Sequence, residues 1–474
     1  MIEMDISGPY CATIDGQRVE TPQSLPVIDP ATGEAFAQAP DCDAGHLDEA
    51  VAAARRAFRH WKAISSEERD ALLHAAAARI REESEPLAHL LTREQGKPLD
   101  EARHEIETAA RWFAAYADHA MPVETRREPD GRLAEIRHVP IGVVAAIAPW
   151  NFPVQLMAWK LAPALKAGNT VVAKPSPHTP LTTLKIGELL SGILPAGVLN
   201  VISGRDHLGP LMSGHPGIDK ISFTGSTATG KAVMRSAAGN LKRVTLELGG
   251  NDPAIVLADA DAEAVAERLF WGAFRNAGQV CIAAKRIYVH DAIYDRFAAR
   301  MVELARAHPP VRGDAPGARI GPVQNRVQFD RVKAMIEEAR SSGLRFLSEP
   351  GEMAGPGNFI APTIIDNPPD DAPVVREEPF GPLLPLLRFS DLDDAIRRAN
   401  DSEFGLASSV WSADIERATA VGRQLEAGTV WLNTIHCMTP TLPFAGHKQS
   451  GIGIENSTEG LLEYTNVQVL VRQP

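Results

Sequence analysis

Residues 143–176 read VVAAIAPWNFPVQLMAWKLAPALKAGNTVVAKPS. Two short runs of small and β-branched apolar residues, 143–148 and 170–173, flank a helical stretch at 159–167. Parallel strands cannot be joined by a tight turn, so a strand, a helix and a second strand at this spacing predict a right-handed crossover over a parallel sheet. The alternation continues with strand-like runs at 198–202 and 220–223 and helical stretches at 181–190 and 229–238. A dinucleotide-sized α/β domain accounts for this region.

The pattern extends in both directions. Upstream, Leu47, Val51, Ala54, Phe58 and Trp61 recur at alternating intervals of four and three, which places them on one face of a helix starting after Asp41-Cys42-Asp43. Further amphipathic stretches lie at 70–83 and 99–120, and a polar segment, 124–131, reads as a crossing loop or hairpin tip. Downstream of Leu248, strand-like 254–257, a helix over 262–276 and strand-like 286–290 predict a second α/β domain. A strand-like tail at 463–471 is free to pair outside its own core.

A chain of 474 residues exceeds what one hydrophobic core organises. With 48 basic and 60 acidic side chains, its net charge of -12 argues against nucleic acid or anionic membrane as a main partner. The opening MIEMDISGPY lacks the basic and apolar regions of a secretory signal, and the longest nearly apolar run, 141–150, is half a membrane span. A soluble, cytoplasmic protein is expected. Cys11, Cys42, Cys281 and Cys437 are too few for a disulfide framework and lack metal-site spacing, so free thiols and no metal are expected.

Chemistry-bearing residues collect where strands end. The loop 223–231, FTGSTATGK, offers the unpaired N–H groups of a helix start to a phosphate. It falls short of a nucleotide-hydrolysing P-loop, because Ala232 stands where magnesium needs Ser or Thr. Asn151 sits between two prolines after the first strand, and Lys174 ends the next. Glu247 ends a further strand, and Cys281 follows a glycine turn at Gly278, where substrate can reach it.

Taken in order, the segments PWNFP (149–153), KPS (174–176), FTGS (223–226), ELGG (247–250), GQVC (278–281), EEPFGP (377–382), GTVWLN (428–433) and KQSGIGIE (448–455) resemble the aldehyde dehydrogenase superfamily over 27–471. The resemblance implies a Rossmann-like cofactor domain (1–122 and 142–246), an α/β catalytic domain (247–440) and a small β oligomerisation arm (123–141 and 455–474). It implies a homodimer or homotetramer that oxidises a small-molecule aldehyde with NAD or NADP. By the same resemblance Cys281 is the nucleophile, Asn151 and the Cys281 N–H hold the oxyanion, and Glu247 is the general base. Lys160 and Glu455 match positions that relay protons in some members, although as bare residues they read as an ordinary surface pair. Trp150, Lys174, Gly225, Ser226, Glu378 and Phe380 match cofactor contacts.

Pro177 departs from the pattern, since many NAD-preferring relatives have a ribose-binding glutamate there, so NADP stays open beside NAD. Asn251 and Ile454 replace a common Lys and Arg. The aldehyde tunnel is expected to be lined by Phe152, Gln155, Leu156, Trp159, Arg275, Ile282, His436, Met438 and Phe444, with Arg275 core-facing or salt-bridged rather than a substrate clamp. Two alternative activities are an acylating, coenzyme A-dependent semialdehyde dehydrogenase, which Glu247 argues against, and a phosphate-binding NTPase, which Ala232 argues against.

Overall fold

The structure, a computed structural model, describes residues 8–349 and 355–473. The acidic start of the chain and the last residue of the arm, both used in the sequence reading, lie outside the described residues.

Five parallel strands form the middle of an eight-stranded sheet. Their order is Leu199–Val201, Thr170–Lys174, Val143–Ile147, Lys220–Thr224, Arg243–Glu247. Val143–Ile147 is buried at all five positions, which explains a run without polar alternation. The third, second, first, fourth and fifth strands thus lie side by side, and the order reverses next to the first strand. Ligands bind at such a switch point, in the crevice beyond the carboxyl ends of the strands. Short antiparallel strands finish the edges: Ala12–Ile14 with Gln17–Val19 on one side and Gly451–Ile452 on the other.

A second, seven-stranded sheet is parallel except for its edge strand Phe346–Ser348, and has Leu383–Phe389, Ala284–His290 and Asp252–Val256 at its centre. The Rossmann-like unit, the catalytic unit and the β arm are therefore all present. In the arm, Thr465–Arg472 pairs antiparallel with Leu133–Pro140 over eight residues, and Leu133–Pro140 pairs with Val123–Arg127. The segment 124–131, expected as a crossing loop or hairpin tip, belongs to a hairpin; its first residues extend the strand Val123–Arg127, and only those after it make the tip.

The N-terminal helix Ala44–Trp61 begins at Asp43, whose carboxylate accepts from the His46 N–H in a capping box. The helix Leu99–Asp118 carries Glu105, whose buried carboxylate accepts from Val154 and Gln155 N–H at 2.9 and 3.1 Å. Those are unpaired donors at the start of the helix Pro153–Lys166, so Glu105 caps it from another helix and anchors the Asn151 turn just before it. No helix among the described residues is long and apolar enough to cross a membrane.

Candidate active site

The helix Ala262–Phe274 does not run on to residue 276 as an ordinary helix. Asn276, Ala277 and Gly278 all take left-handed backbone, with φ of 49°, 54° and 72°. Left-handed non-glycine residues cost about 1 kcal/mol or more each and persist where their surroundings hold them. Here the Asn276 carboxamide donates to the Asn151 carbonyl at 3.0 Å, and Gln279 donates back to the Asn276 carbonyl at 2.8 Å. A side chain on Gly278 would come within 2.3 Å of the Gly381 carbonyl, which joins the GQVC and EEPFGP segments physically. This turn delivers Cys281 to the floor of a tunnel.

Cys281 is partly exposed, whereas Cys11 and Cys42 are buried and Cys437 is exposed; all four thiols are free. Burial pushes the Cys281 thiol up to about 12, against the pull of the Lys285 ammonium, so the resting group is the neutral thiol. Its backbone N–H has no acceptor among the described residues. Asn151, itself buried, spends one amide N–H on the Gln279 carbonyl at 3.0 Å, and the other has no acceptor among the described residues. The Cys281 and Asn151 N–H groups are thus two free donors, the second tied to Gln279 two residues before the cysteine.

Glu247 lines the same tunnel from the end of its strand. Neither carboxylate oxygen has a hydrogen-bond partner, and burial, helped by the Glu455 charge and opposed by Lys160, raises its pKa well above the ordinary carboxylate range. Behind it, Lys160 and Glu455 meet at 2.6 Å with side chains 0% and 1% exposed. That corrects the surface-pair reading of these two residues: the KQSGIGIE segment folds back along the sheet edge and carries Glu455 inward. Ser222 touches both partners at 3.3 Å, and the Tyr464 hydroxyl donates to Ser222 at 3.0 Å. Glu455→Gln should destabilise the protein by about 3–5 kcal/mol, because it strands a buried ammonium. The double variant with Lys160→Met should be less destabilised than Glu455→Gln alone in urea unfolding; a neutral single variant would refute the coupling.

The remaining candidates gather at the carboxyl ends of adjacent strands. Lys174 faces Ile147 in register, and Gly225 and Ser226 follow Lys220–Thr224. Ser226 caps the helix Thr227–Ala237 by accepting from the Thr229 N–H at 3.2 Å. Lys174 is buried, lowered to about 8 by that burial, and has one acceptor, the Pro175 carbonyl at 3.3 Å, which leaves donors for a ligand. Trp150 and Phe380 meet edge-to-face at 5.4 Å. Glu378 accepts from the Gly250 N–H at 3.2 Å and pairs with Lys285 at 3.0 Å. A buried amine with spare donors, a free helix start and an anchored carboxylate together fit the riboses and pyrophosphate of a dinucleotide. Lys231 of the P-loop-like segment donates to Gln449 at 2.6 Å.

All nine expected tunnel residues line one cavity of about 90 Å3 with Cys281 and Glu247. His104, Thr108, Arg111 and Trp112, from the helix Leu99–Asp118, were not among those expected but also line it. Their four-residue spacing on one helix face was visible, but nothing local says which tunnel that face would meet. Arg275 lines the tunnel and is salt-bridged to Glu101 at 3.8 Å, the second of the two settings expected for it. Lys285, which donates to the Cys281 carbonyl at 2.5 Å while pairing with Glu378, was also missed. A larger cleft of about 870 Å3, bounded by Asp29, Arg93 and Arg312, holds none of the candidate residues.

Comparison with known proteins bears on the same geometry. A family model described as the aldehyde dehydrogenase family matches residues 18–470. The chain is 39% identical over 446 residues to an aldehyde dehydrogenase of a Fusarium species, covering 94% of each. It superposes on the NAD+ complex of an aldehyde dehydrogenase from Bacillus cereus with a TM-score of 0.96, at 35% identity, covering 98% of this chain and 97% of that one. A structure described as an Escherichia coli NADP dependent enzyme gives a TM-score of 0.94 at 38% identity, covering 98% of each chain.

Proposed function

The chain belongs to the aldehyde dehydrogenase family, as an NAD(P)-dependent enzyme, and on that premise we propose that it oxidises its aldehyde through a thioester on Cys281. The observation that carries this reading is the meeting in one tunnel of Cys281 and an unpartnered Glu247. The thiol, neutral at rest, gives its proton to Glu247, and the sulfur attacks the aldehyde carbon. Oxygen gains the charge, and the Asn151 and Cys281 N–H groups hold it. NAD or NADP held by the crevice residues would supply a hydride acceptor, and with the hydride gone the carbonyl on Cys281 is a thioester. Glu247 then takes a proton from the water that displaces the sulfur, and the acid leaves. A coenzyme A-dependent enzyme has no need of that base, so water is the acceptor in this reading.

Lys160, Glu455 and Ser222 serve in this scheme to carry the proton away from Glu247, a role supported by their buried contact directly behind it. The arm is the oligomer contact: Val467, Val469 and Val471 stand exposed on an edge strand, which a second copy would cover. Trp150, Lys174, Gly225, Ser226, Glu378 and Phe380 hold the cofactor. Pro177 offers neither a hydrogen bond to the adenosine ribose nor repulsion of a 2'-phosphate, so both cofactors are used. Assay of an aldehyde panel with NAD and with NADP tests the function directly. Pro177→Glu should raise the ratio of kcat/KM with NAD to that with NADP by about tenfold to a hundredfold, mainly by weakening NADP. A wild type that rejects NADP a thousandfold would show that selection lies elsewhere.

A further inference from the structure

Resting on the dehydrogenase reading, we infer that Lys97 is a positioning residue for the reaction: with Glu105 it fixes the turn from which Asn151 presents its N–H to the oxyanion. Lys97 stands just before the helix Leu99–Asp118, and Glu105 lies within it. Their side chains meet at 2.5 Å and are 0% and 1% exposed. The Lys97 ammonium also donates to the Asn151 carbonyl at 2.9 Å and sits 3.8 Å from the centre of the Phe152 ring. It is therefore committed to Glu105 and to two successive residues of one turn. Glu105 gives its other oxygen to the Val154 and Gln155 N–H groups. The helix they open cannot be capped from its own sequence, because Phe152 has no side-chain acceptor and Pro153 has no N–H. Lys97 and Glu105 hold the turn from its two ends.

The Asn151 carbonyl that Lys97 holds is also held from the nucleophile's side, by the Asn276 carboxamide at 3.0 Å. The Asn151 side chain in turn donates to the Gln279 carbonyl at 3.0 Å, which Asn276 reaches as well, at 3.4 Å. Asn151, Asn276 and Gln279, all buried, thus close a cycle of hydrogen bonds between the two turns that carry the oxyanion donors. Among the described residues, Lys97 is the one charged donor to that cycle. Its own place is set closely: the Lys97 N–H donates to the Gln95 side chain at 3.0 Å, and a Cβ on Gly313 would come within 2.3 Å of the Lys97 carbonyl. Stability does not call for such a pair. Burial lowers the Lys97 pKa against the pull of Glu105, and well-packed apolar residues of the same volume serve a fold as well or better than buried ions. What the pair supplies is direction, since charge-assisted hydrogen bonds are short and strong and tolerate little drift. A displacement of about 1 Å in a reacting geometry costs on the order of a hundredfold in rate.

The test uses Lys97→Met together with Glu105→Gln, which removes both charges at once, keeps the side-chain volumes and leaves an amide oxygen to accept from Val154 and Gln155. The probe is whichever of propanal, hexanal and benzaldehyde the wild type oxidises fastest. The paired variant should lose about tenfold to a hundredfold in kcat, while its affinity for NAD or NADP stays within about twofold of wild type. Glu105→Gln alone, which keeps the amine on the Asn151 carbonyl, should lose less. Added to Asn151→Ala, the pair should change kcat by no more than about twofold, because the donor it places is already gone. An unchanged kcat in the paired variant, or a fall as large in the Asn151→Ala background as in wild type, would overturn the positioning role and leave the dehydrogenase reading standing. A crystal structure of the paired variant gives a readout besides turnover: the Asn151 carboxamide should have left the Gln279 carbonyl. An Asn151 still bonded there at 3.0 Å overturns the inference, whatever the kinetics. An Asn151→Ala enzyme as fast as wild type would instead remove Asn151 from the reaction, which overturns the oxyanion role on which the inference rests.

Discussion

Cys281→Ala should abolish turnover, by on the order of ten-thousandfold or more for loss of a covalent nucleophile, while NAD or NADP still binds. No other thiol can substitute. Cys11 and Cys42 are buried away from the tunnel, and Cys42 is itself pushed up to about 12 by burial. Cys437 is exposed and does not line the tunnel, although His436 and Met438 on either side of it do. Alkylation should therefore separate into two events. Cys437 takes iodoacetamide readily with activity kept, and Cys281 reacts slowly at neutral pH, because its thiolate is scarce, with activity lost in proportion. The rate at Cys281 should climb with pH, since its raised pKa puts most of the thiolate gain above neutrality. Peptide mass mapping against residual activity follows both events. A Cys281→Ala enzyme within a few-fold of wild type, or activity lost with labelling at Cys437 alone, would remove Cys281 from the chemistry.

How far these positions were legible in sequence depended on whether the signal was local. The central parallel strands were plain because burial on both faces makes them nearly continuous apolar runs, as in the VVAAI of Val143–Ile147 and the VVA within Thr170–Lys174. Val123–Arg127 was not, because all five of its residues are exposed and VETRR carries no alternation. Its pairing with Leu133–Pro140 alone makes it a strand. The hairpin Ala12–Ile14 with Gln17–Val19 did have a signal, Asp15-Gly16, with φ of 52° and 74°, but strands of three residues give little pattern around it. At the site, Cys281, Glu247 and Asn151 were legible from short motifs in order. Ion pairs that close across the fold were not. Lys160 finds Glu455 across 295 positions, and Lys285, on the strand Ala284–His290, finds Glu378 only when the loop carrying that carboxylate folds against it. Arg275 shows the limit most clearly: whether an arginine is core-facing, paired or open to a ligand is decided by its neighbours in space.

Glu247→Gln should slow steady-state turnover about a hundredfold or more, the usual loss for a general base, and should stabilise the fold at the same time. The amide keeps the shape of the side chain but cannot take a proton from the deacylating water, so thioester accumulates. A burst of NAD(P)H followed by a slow steady state is expected, most clearly at high pH, where the thiol ionises without help. Stability should move the other way, because the wild-type carboxyl is buried beside Glu455 with neither oxygen partnered, while Lys160 is committed to Glu455. A carboxyl whose pKa is raised in the native state binds its proton more tightly there than in the unfolded chain. Native stability therefore falls as pH climbs from the ordinary carboxylate value through the raised one. Glutamine does not titrate and escapes that loss. Glu247→Gln should thus unfold at a higher Tm than wild type at pH 8, and the gap should narrow toward pH 5, where the native carboxyl is protonated in any case. Unchanged turnover would remove Glu247 from the mechanism. A Tm below wild type at pH 8, or a gap that widens as pH falls, would show that the carboxylate is held by partners and that its cost in the fold has been given the wrong sign.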